Sequence, residues 1–305
     1  MRYRPVKSLC SLARVLLAAG AFALAAPAAA QPAGLPDLRT AHSPELQRGL
    51  ERVVRDLHLE SAVSTGRLSL ALVDVSRDSP PRLAMLNGHA MVYAASLPKI
   101  AILLGALAEA ERGAFALDAQ RVAAIHNMIR VSSNEDATRV LNWVGGQRLL
   151  DILQSDRFRL YDARDGGGLW VGKAYGGDGA FRRDPLRNLS HGATAYQVAR
   201  LYYLLANDAL LTPRFNALMK EALANPGIRH KFVKGLDGRP GATIYRKSGT
   251  WRDFHADSAL VEHGGYRYVI VGLAEHPDGG EWLARLAAPL HDLIVPPVRA
   301  ARLAP

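Results

Sequence analysis

A serine and a lysine three residues apart, Ser96 and Lys99, could form a nucleophile and its base. Because residues three apart on a helix project from the same face, the lysine can reach the serine hydroxyl. A serine hydroxyl is a weak nucleophile until a neighbouring base takes its proton, and a lysine in apolar surroundings can have its pKa lowered enough to act as that base. A helix cap followed by a surface lysine is the simpler interpretation of the same residues.

A second polar group, Ser132 and Asn134, lies between two predicted helices. A hydroxyl and a carboxamide two residues apart on an irregular turn point the same way, so they could relay a proton and bind a substrate amide. The alternative is a helix N-cap, because serine and asparagine are favoured there and Glu135 and Asp136 suit a first helical turn. Taken alone, this segment favours the N-cap.

A third group ends a predicted strand and consists of Lys247, Ser248, Gly249 and Thr250. Glycine removes a side chain, which lets a ligand approach the strand backbone. The lysine and the two hydroxyls would hold a carboxylate. The alternative is a surface strand that ends at a glycine.

The three groups together are more specific than any one of them. Each pattern, Ser-x-x-Lys, Ser-x-Asn and Lys-Ser/Thr-Gly, occurs once and in this order. This trio is typical of class A β-lactamases and penicillin-binding proteins. The sequence resembles that superfamily, class A most closely, over roughly residues 45–293. Residues 128–138 resemble the family's second-motif helix, and Thr194-Ala195 at a helix start is similar as well.

The resemblance implies a fold and a set of roles. The fold class is α+β, of the β-lactamase/transpeptidase-like type, with an antiparallel sheet flanked by helices and an all-α subregion. By similarity, Ser96 would be acylated, Lys99 would transfer protons, and Ser132 would pass a proton to the leaving nitrogen. Asn134 would bind the side-chain amide of the substrate. No cofactor and no metal is implied.

The resemblance also implies a binding site for the substrate carboxylate and carbonyl. Lys247, Ser248 and Thr250 would hold the carboxylate, with Gly249 allowing the close approach. The N–H groups of Ser96 and Thr250 would form the oxyanion hole.

Two features depart from the class A pattern. Ser96 and Ser132 are 36 residues apart, fewer than usual, so we expect a more open cleft. No glutamate occurs between Glu135 and Glu221, although class A enzymes carry their deacylating glutamate in the loop that corresponds to residues 162–190. The missing glutamate leaves efficient β-lactam turnover without an assigned base.

Other side chains could supply this base, with a structural role as the alternative for each. The aspartates of the loop are Asp162, Asp165, Asp178 and Asp184. The remaining candidates, either as supporting groups or as bases, are His191, His255 and Asp257, with His230 nearby. Histidine is the natural general base near neutral pH. Zinc binding by the histidines lacks a recognisable ligand spacing. Trp170 and Trp251 could be core residues or cleft walls.

Helices in the middle of the chain and strands at both ends must position these groups. Ser43-Pro44 predicts a helix start with a hydroxyl cap. The segment from Ile100 to Ala108 is apolar on every side, which predicts a central buried helix. Further helices are predicted over 119–131, 135–144, 194–206, 213–224 and 281–293. Strands are predicted over 67–75, 82–87, 242–248, 256–262 and 266–274, forming an antiparallel sheet.

The N-terminus predicts export. Residues 1–30 carry four basic residues, then an apolar run of about a dozen residues and Ala28-Ala29-Ala30, the layout of a cleaved secretory signal. We expect a periplasmic or secreted protein without a membrane anchor after cleavage. The only cysteine, Cys10, would be lost with the signal. We divide the rest into a linker (31–42), one domain (43–295) and a C-terminal tail (296–305).

Charge adds little about partners. The net charge is +10, of which the signal contributes +4. The basic residues are scattered and no nucleic-acid motif accompanies them, so we expect no nucleic-acid partner. We expect a monomer that acts on a small β-lactam or a peptidoglycan peptide.

Four functions remain open on sequence alone. The first is an exported serine acyl-hydrolase that cleaves β-lactams or related amides through a Ser96 acyl-enzyme. The second is a D,D-peptidase or penicillin-binding protein with slow deacylation. A serine-dependent glutaminase and a non-catalytic sensor of β-lactams or peptidoglycan are the others.

Overall fold

The computed structural model describes Met1 and residues 34–77, 79–177 and 179–296 of the 305-residue chain. Its helices are α1 (Pro44–Asp56), α2 (Glu60–Ser64), α3 (Lys99–Glu111), α4 (Ala119–Arg130), α5 (Asn134–Val144), α6 (Gly146–Gln154), α7 (Ala195–Ala206), α8 (Pro213–Leu223), α9 (Phe232–Gly235) and α10 (Gly279–Asp292). Within these described ranges, no helix has the length and apolar character needed to cross a membrane.

The main sheet is antiparallel and has five strands in the order β2-β1-β10-β9-β8. Its strands are β1 (Leu68–Asp74), β2 (Arg82–Leu86), β8 (Thr243–Trp251), β9 (Phe254–His263) and β10 (Tyr266–Glu275). The C-terminal strands thus complete a sheet begun near the N-terminus, which confirms the predicted α+β fold with a mixed helical and antiparallel arrangement.

Short strands lie between β2 and β8 along the chain. They are β3 (Val92–Tyr93), β4 (Tyr161–Asp162), β5 (Gly167–Gly168), β6 (Trp170–Val171) and β7 (His191–Ala193). A three-stranded sheet has the order β3-β7-β6, and β4 pairs with β5. The irregular 162–190 segment is therefore tied to the turn that carries Ser96 by backbone pairing.

The main sheet separates two hydrophobic cores. Ala71 and Val73 of β1 point into the core formed with α3 to α8, whereas Leu70 and Leu72 point into the core formed with α1 and α10. This alternation follows from the two-residue period of a strand. Both faces of the sheet are covered, so β1 is buried along its whole length.

Helix α3 is the central element of the larger core. Eleven of its thirteen residues are buried, as its apolar sequence predicts. A Cβ at Gly105 would lie 2.7 Å from the Leu149 side chain, so glycine lets α3 and α6 pack closely. The buried helix fixes the position of Lys99, its first residue.

The expected linker over 31–42 needs correction in its described part. Leu38 is only 1% exposed and belongs to the larger core. The Tyr203 hydroxyl donates to the Pro36 carbonyl at 2.8 Å, and the Leu83 N–H donates to the Ala41 carbonyl at 2.7 Å. This stretch is packed on the domain because its apolar residue and carbonyls have partners there. The expected export signal and C-terminal tail, apart from Met1 and Pro296, lie outside the described residues.

Candidate active site

The three predicted motifs meet around the hydroxyl of Ser132. The Lys99 ammonium nitrogen lies 2.6 Å from the Ser132 carbonyl oxygen and 3.2 Å from its Oγ. It also donates to Asn134 Oδ1 at 2.8 Å. Lys247 Nζ donates to the same Ser132 Oγ at 2.9 Å, across 115 residues of sequence. Groups from α3, the α4–α5 turn and β8 therefore share one hydrogen-bond network, with Ser96 in the turn before α3.

The α4–α5 turn is built so that its polar groups face Lys99. Ser133, not Ser132 or Asn134, caps α5, because its Oγ accepts the Asp136 N–H at 3.1 Å. Ser132 has a φ of 61°, a left-handed conformation that is uncommon outside glycine and short polar residues. The N-cap expected for this segment is thus present at Ser133, and it leaves the flanking side chains free to bind Lys99.

Glycine is required where β8 passes the turn that carries Ser96 (residues 94–97), the candidate nucleophile turn. A Cβ on Gly249 would lie 2.2 Å from the Ala94 carbonyl oxygen and 2.7 Å from the backbone nitrogens of Ser96 and Leu97. These are backbone atoms, so they cannot move aside as the end of a flexible side chain can. The missing side chain lets β8 lie directly against the turn that carries Ser96.

Burial favours the neutral amine form of Lys99. Its side chain is fully buried, and burial lowers the pKa of Lys99 to about 7. Among the described residues, the groups that accept from its Nζ are the oxygens of Ser132 and Asn134, which are uncharged. The amine can therefore be neutral near pH 7 and take a proton.

A cavity of about 300 Å³ opens beside Ser96. Its walls come from the nucleophile turn, the start of α5, the end of β8 and the 162–190 segment, and they include Tyr93, Ser96, Asn134, Lys173, Tyr175, Ser190, His191, Thr250 and Trp251. Trp251 is 56% exposed, so it forms a wall of the cleft. Trp170 is 1% exposed and is a core residue.

Lys247 and Ser248 lie behind this cavity rather than on its surface. They are 1% and 5% exposed, respectively. Burial first, and then the nearby Lys99, lower the pKa of Lys247. The Ser248 hydroxyl lies 3.2 Å from His230 Nε2. Of the three residues predicted to hold a carboxylate, Thr250 is the one that lines the cavity.

The family comparison is consistent with this geometry. Residues 123–294 match the model of the β-lactamase enzyme family, which is more than half of the chain. The chain belongs to this family. Among the curated proteins searched, none matches.

Solved structures of β-lactamases and a penicillin-binding protein share the fold. PBP-A is 16% identical, with a TM-score of 0.62 over 83% of this chain and 96% of that one. A β-lactamase from Sphaerobacter thermophilus DSM 20745 is 14% identical, with a TM-score of 0.62 over 81% of this chain and 96% of that one. A mutant of the class A β-lactamase of the last common ancestor of Gram-negative bacteria is 18% identical, with a TM-score of 0.61 over 81% and 97%. At these identities the likeness concerns the fold.

In this β-lactamase-family chain, an aromatic ring lies beside Lys99. The Tyr175 ring centroid is 4.5 Å from Lys99 Nζ, and its hydroxyl donates to the Ala95 carbonyl at 3.1 Å. Thr138 fixes this tyrosine by donating to its carbonyl at 2.7 Å. The family resemblance implies a carboxylate in this loop, and none lines the cavity within the described residues.

The loop aspartates are engaged elsewhere. Asp162 accepts the Arg164 N–H at 2.9 Å, and Asp165 contacts Gln197 Nε2 at 3.4 Å. Asp184 is buried and accepts from the Tyr161 hydroxyl and the Arg187 N–H. Asp178 lies outside the described residues.

The histidine and aspartate candidates separate into two groups. His191 lines the cavity. His255 instead packs against Gly279 and Gly280 at the start of α10, and Asp257 forms a buried ion pair with Arg246 at 2.7 Å. Asp257 is thus engaged within the sheet, where it neutralises a guanidinium that has no access to water. In the described part of the chain, no cluster of histidine, cysteine or acidic side chains could hold a metal ion.

Sequence reasoning missed Lys231. Its side chain is 1% exposed, and its Nζ donates to the Gly249 carbonyl at 2.5 Å, Thr250 Oγ1 at 2.8 Å and the Ala256 carbonyl at 3.1 Å. Burial lowers its pKa to about 8. These hydrogen bonds hold the end of β8 in place from behind the strand. The backbone of Lys231 has a φ of 53°, and this left-handed conformation lets its side chain reach β8. In the sequence, Lys231 lies in a short basic stretch, and nothing there distinguishes it from a surface lysine.

Proposed function

We propose that this protein is a serine acyl-hydrolase that cleaves β-lactams or related amides through an acyl-enzyme at Ser96. The observation that carries the proposal is the state of Lys99, which is buried, has a pKa of about 7 and contacts Ser132. A surface lysine after a helix cap would be charged and hydrated, so the simpler interpretation of the first motif does not account for this environment.

Acylation follows from the positions of the two lysines. Lys99 in its neutral form takes the proton of the Ser96 hydroxyl, and the Ser96 oxygen attacks the substrate carbonyl carbon. Ser132, whose Oγ is within hydrogen-bond distance of both lysine nitrogens, passes a proton to the leaving nitrogen as the amide bond breaks. Ser132 then regains a proton from the Lys99 ammonium, which becomes neutral again. Lys247 Nζ donates to the Ser132 hydroxyl and keeps it oriented.

The substrate carbonyl and its substituents would bind along β8 and α5. We assign the oxyanion hole to the N–H groups of Ser96 and Thr250, which the missing Cβ of Gly249 allows to lie close together. Asn134 would accept or donate to the side-chain amide of the substrate, in addition to holding Lys99. Thr250, supported by Lys231, would bind an anionic group of the substrate.

A penicillin-binding protein or D,D-peptidase with slow deacylation is the second candidate. It is favoured by the Tyr175 ring beside Lys99 and by the lack of a carboxylate among the described cavity residues. A PBP-A mutant with a similar fold was solved as an acyl-enzyme complex with penicillin G. On this view the same Ser96 adduct forms but is long-lived.

The expected setting of this activity is outside the cytoplasm. We propose export by the N-terminal signal of residues 1–30, and action as a monomer on a small β-lactam or a peptidoglycan peptide. A glutaminase would instead release ammonia from glutamine.

Two measurements on the purified protein separate these functions. Nitrocefin absorbance reports turnover, and intact mass after penicillin G reports the acyl-enzyme and its lifetime. Fast turnover supports the hydrolase, and a persistent adduct supports the penicillin-binding protein. Ser96→Ala should abolish both signals, with Ser155→Ala, far along the chain at the end of α6, as the control. Penicillin binding by calorimetry that survives Ser96→Ala, without any adduct in the wild type, would contradict the enzyme and support a non-covalent sensor.

A further inference from the structure

Ser190 and His191 face the same cavity as Ser96. Strand β7, which begins at His191, pairs with β3 in the register Tyr93↔Gly192. The Ala94 N–H donates to the His191 carbonyl at 3.0 Å. Since Ala94 is two residues before Ser96, this pairing holds both side chains beside the nucleophile turn.

The contacts of the His191 ring assign its tautomer. Nε2 lies 3.0 Å from the Lys173 carbonyl oxygen, which can only accept, so Nε2 carries the proton. In a neutral ring Nδ1 then has a lone pair, and it lies 3.2 Å from Ser190 Oγ. The Ser190 hydroxyl therefore donates to His191, as a serine donates to its base in a catalytic dyad.

The ring is held in this orientation and is uncharged. It is 4% exposed, and the Tyr175 ring packs against it with centroids 4.3 Å apart. Burial lowers the pKa of His191 to about 4, so the ring is a free base near neutral pH. The Lys173 carbonyl takes the orienting role that a carboxylate or carbonyl usually has for a catalytic histidine.

We propose that Ser190 and His191 form the base that activates water for hydrolysis of the Ser96 acyl-enzyme. This inference rests on the proposed function. A water in the cavity gives a proton to Ser190 Oγ as the Ser190 proton moves to His191 Nδ1. The resulting hydroxide forms a bond to the acyl carbon. The bond from that carbon to Ser96 Oγ then breaks. The proton held by His191 returns through Ser190 and a cavity water to Ser96 Oγ, so that Ser96, Ser190 and His191 are all in their starting protonation states when the product leaves.

The other aspartate and histidine candidates of the described chain are less well placed for this step. The aspartates Asp162, Asp165 and Asp184 are engaged in the contacts given above and do not line the cavity. The His255 ring lies at the start of α10. His191 is the histidine that combines a free ring nitrogen, a hydroxyl partner and a place in the cavity wall.

Three variants test the pair. Ser190→Ala removes the relay, and Ser190→Thr keeps a hydroxyl at the same place. His191→Gln keeps a donor for the Lys173 carbonyl but cannot take a proton, because an amide nitrogen is not basic. Ser155→Ala and His126→Gln are matched controls, since both side chains are partly buried and lie outside the cavity.

The readouts are the acylation rate and the decay rate of the penicillin G adduct, both followed by intact mass in H₂O and D₂O. We expect near wild-type acylation in all variants. Adduct decay should slow by about 100-fold in His191→Gln. It should slow by roughly tenfold in Ser190→Ala, because one hydrogen bond is lost and a water can fill the vacated space. Ser190→Thr should restore decay, and the slower decay of the wild type in D₂O should disappear in His191→Gln.

Several outcomes would overturn the proposal. Wild-type decay in both Ser190→Ala and His191→Gln would exclude the pair as the base. Equal losses of acylation and decay would indicate a structural role, and a wild-type adduct that never decays would show that no base operates. Absence of any wild-type adduct would instead refute the proposed function itself, which keeps the two failures distinct.

Discussion

Converting Asn134 to aspartate should raise the pKa of the catalytic lysine without changing the shape of the site. Asn134 Oδ1 accepts from Lys99 Nζ at 2.8 Å, so Asn134→Asp places a carboxylate in direct contact with the amine. With a pKa of about 7, roughly half of Lys99 is neutral at pH 7, compared with about one in 3,000 at the ordinary lysine pKa of 10.5. The low pKa is therefore essential for a base near neutral pH.

The size of the effect follows from the contact. An opposite charge at this distance shifts a pKa by about 1 to 3 units in favour of the charged form. The acylation rate of the wild type should rise with pH and level off above pH 7, since the neutral amine is the base. In Asn134→Asp the midpoint should move up by about 1 to 3 units, so the rate at pH 7 should fall by about 5- to 500-fold. At high pH the rate should recover.

The assay is the rate of adduct formation with penicillin G between pH 5 and 10. Asn142→Asp is the matched control, because it adds the same charge on the exposed side of α5. Its profile should coincide with that of the wild type. An unchanged midpoint in Asn134→Asp, or a loss of rate that is the same at every pH, would refute the claim that a neutral Lys99 is the base.

Two further substitutions test the support of β8. Gly249→Ala should reduce acylation at least about 100-fold, since its Cβ would meet backbone atoms of the nucleophile turn. Gly238→Ala, where nothing lies within 4 Å of the added Cβ, should leave the acylation rate unchanged, and equal rates in the two variants would contradict the argument. Lys231→Met should lower the free energy of unfolding in urea by about 3 kcal/mol, because two buried carbonyls lose their donor. Lys234→Met, on the exposed side of α9, should change it by less than about 0.5 kcal/mol, and a similar loss in both would argue against the buried contacts.

Much of the fold could be predicted from patterns within single segments. The apolar α3, the capped start of α1 at Ser43 and the three C-terminal strands occur where their sequences predict them. Helix α6 was missed because Gly145, at a φ of 84°, ends α5 and also begins α6. A double glycine indicates that a helix ends, but not that another begins at once.

The sequence predicts candidate residues for the site but not their contacts. The order of the three motifs singles out Ser96, Lys99 and Ser132 as candidates, whereas the cap at Ser133 is visible only in the turn geometry. Lys231 acts through a positive φ and through packing of α9 on the sheet, neither of which leaves a pattern in the sequence. The orientation of His191 likewise depends on a carbonyl from a distant part of the loop.

The central claim, that Ser96 is the acylated nucleophile, is tested most directly by peptide mapping after brief treatment with penicillin G. Digestion and tandem mass spectrometry locate the added mass on one residue. We predict one penicillin per chain, on Ser96, and none in Ser96→Ala. An adduct on another residue, or an adduct that persists in Ser96→Ala, would contradict the account.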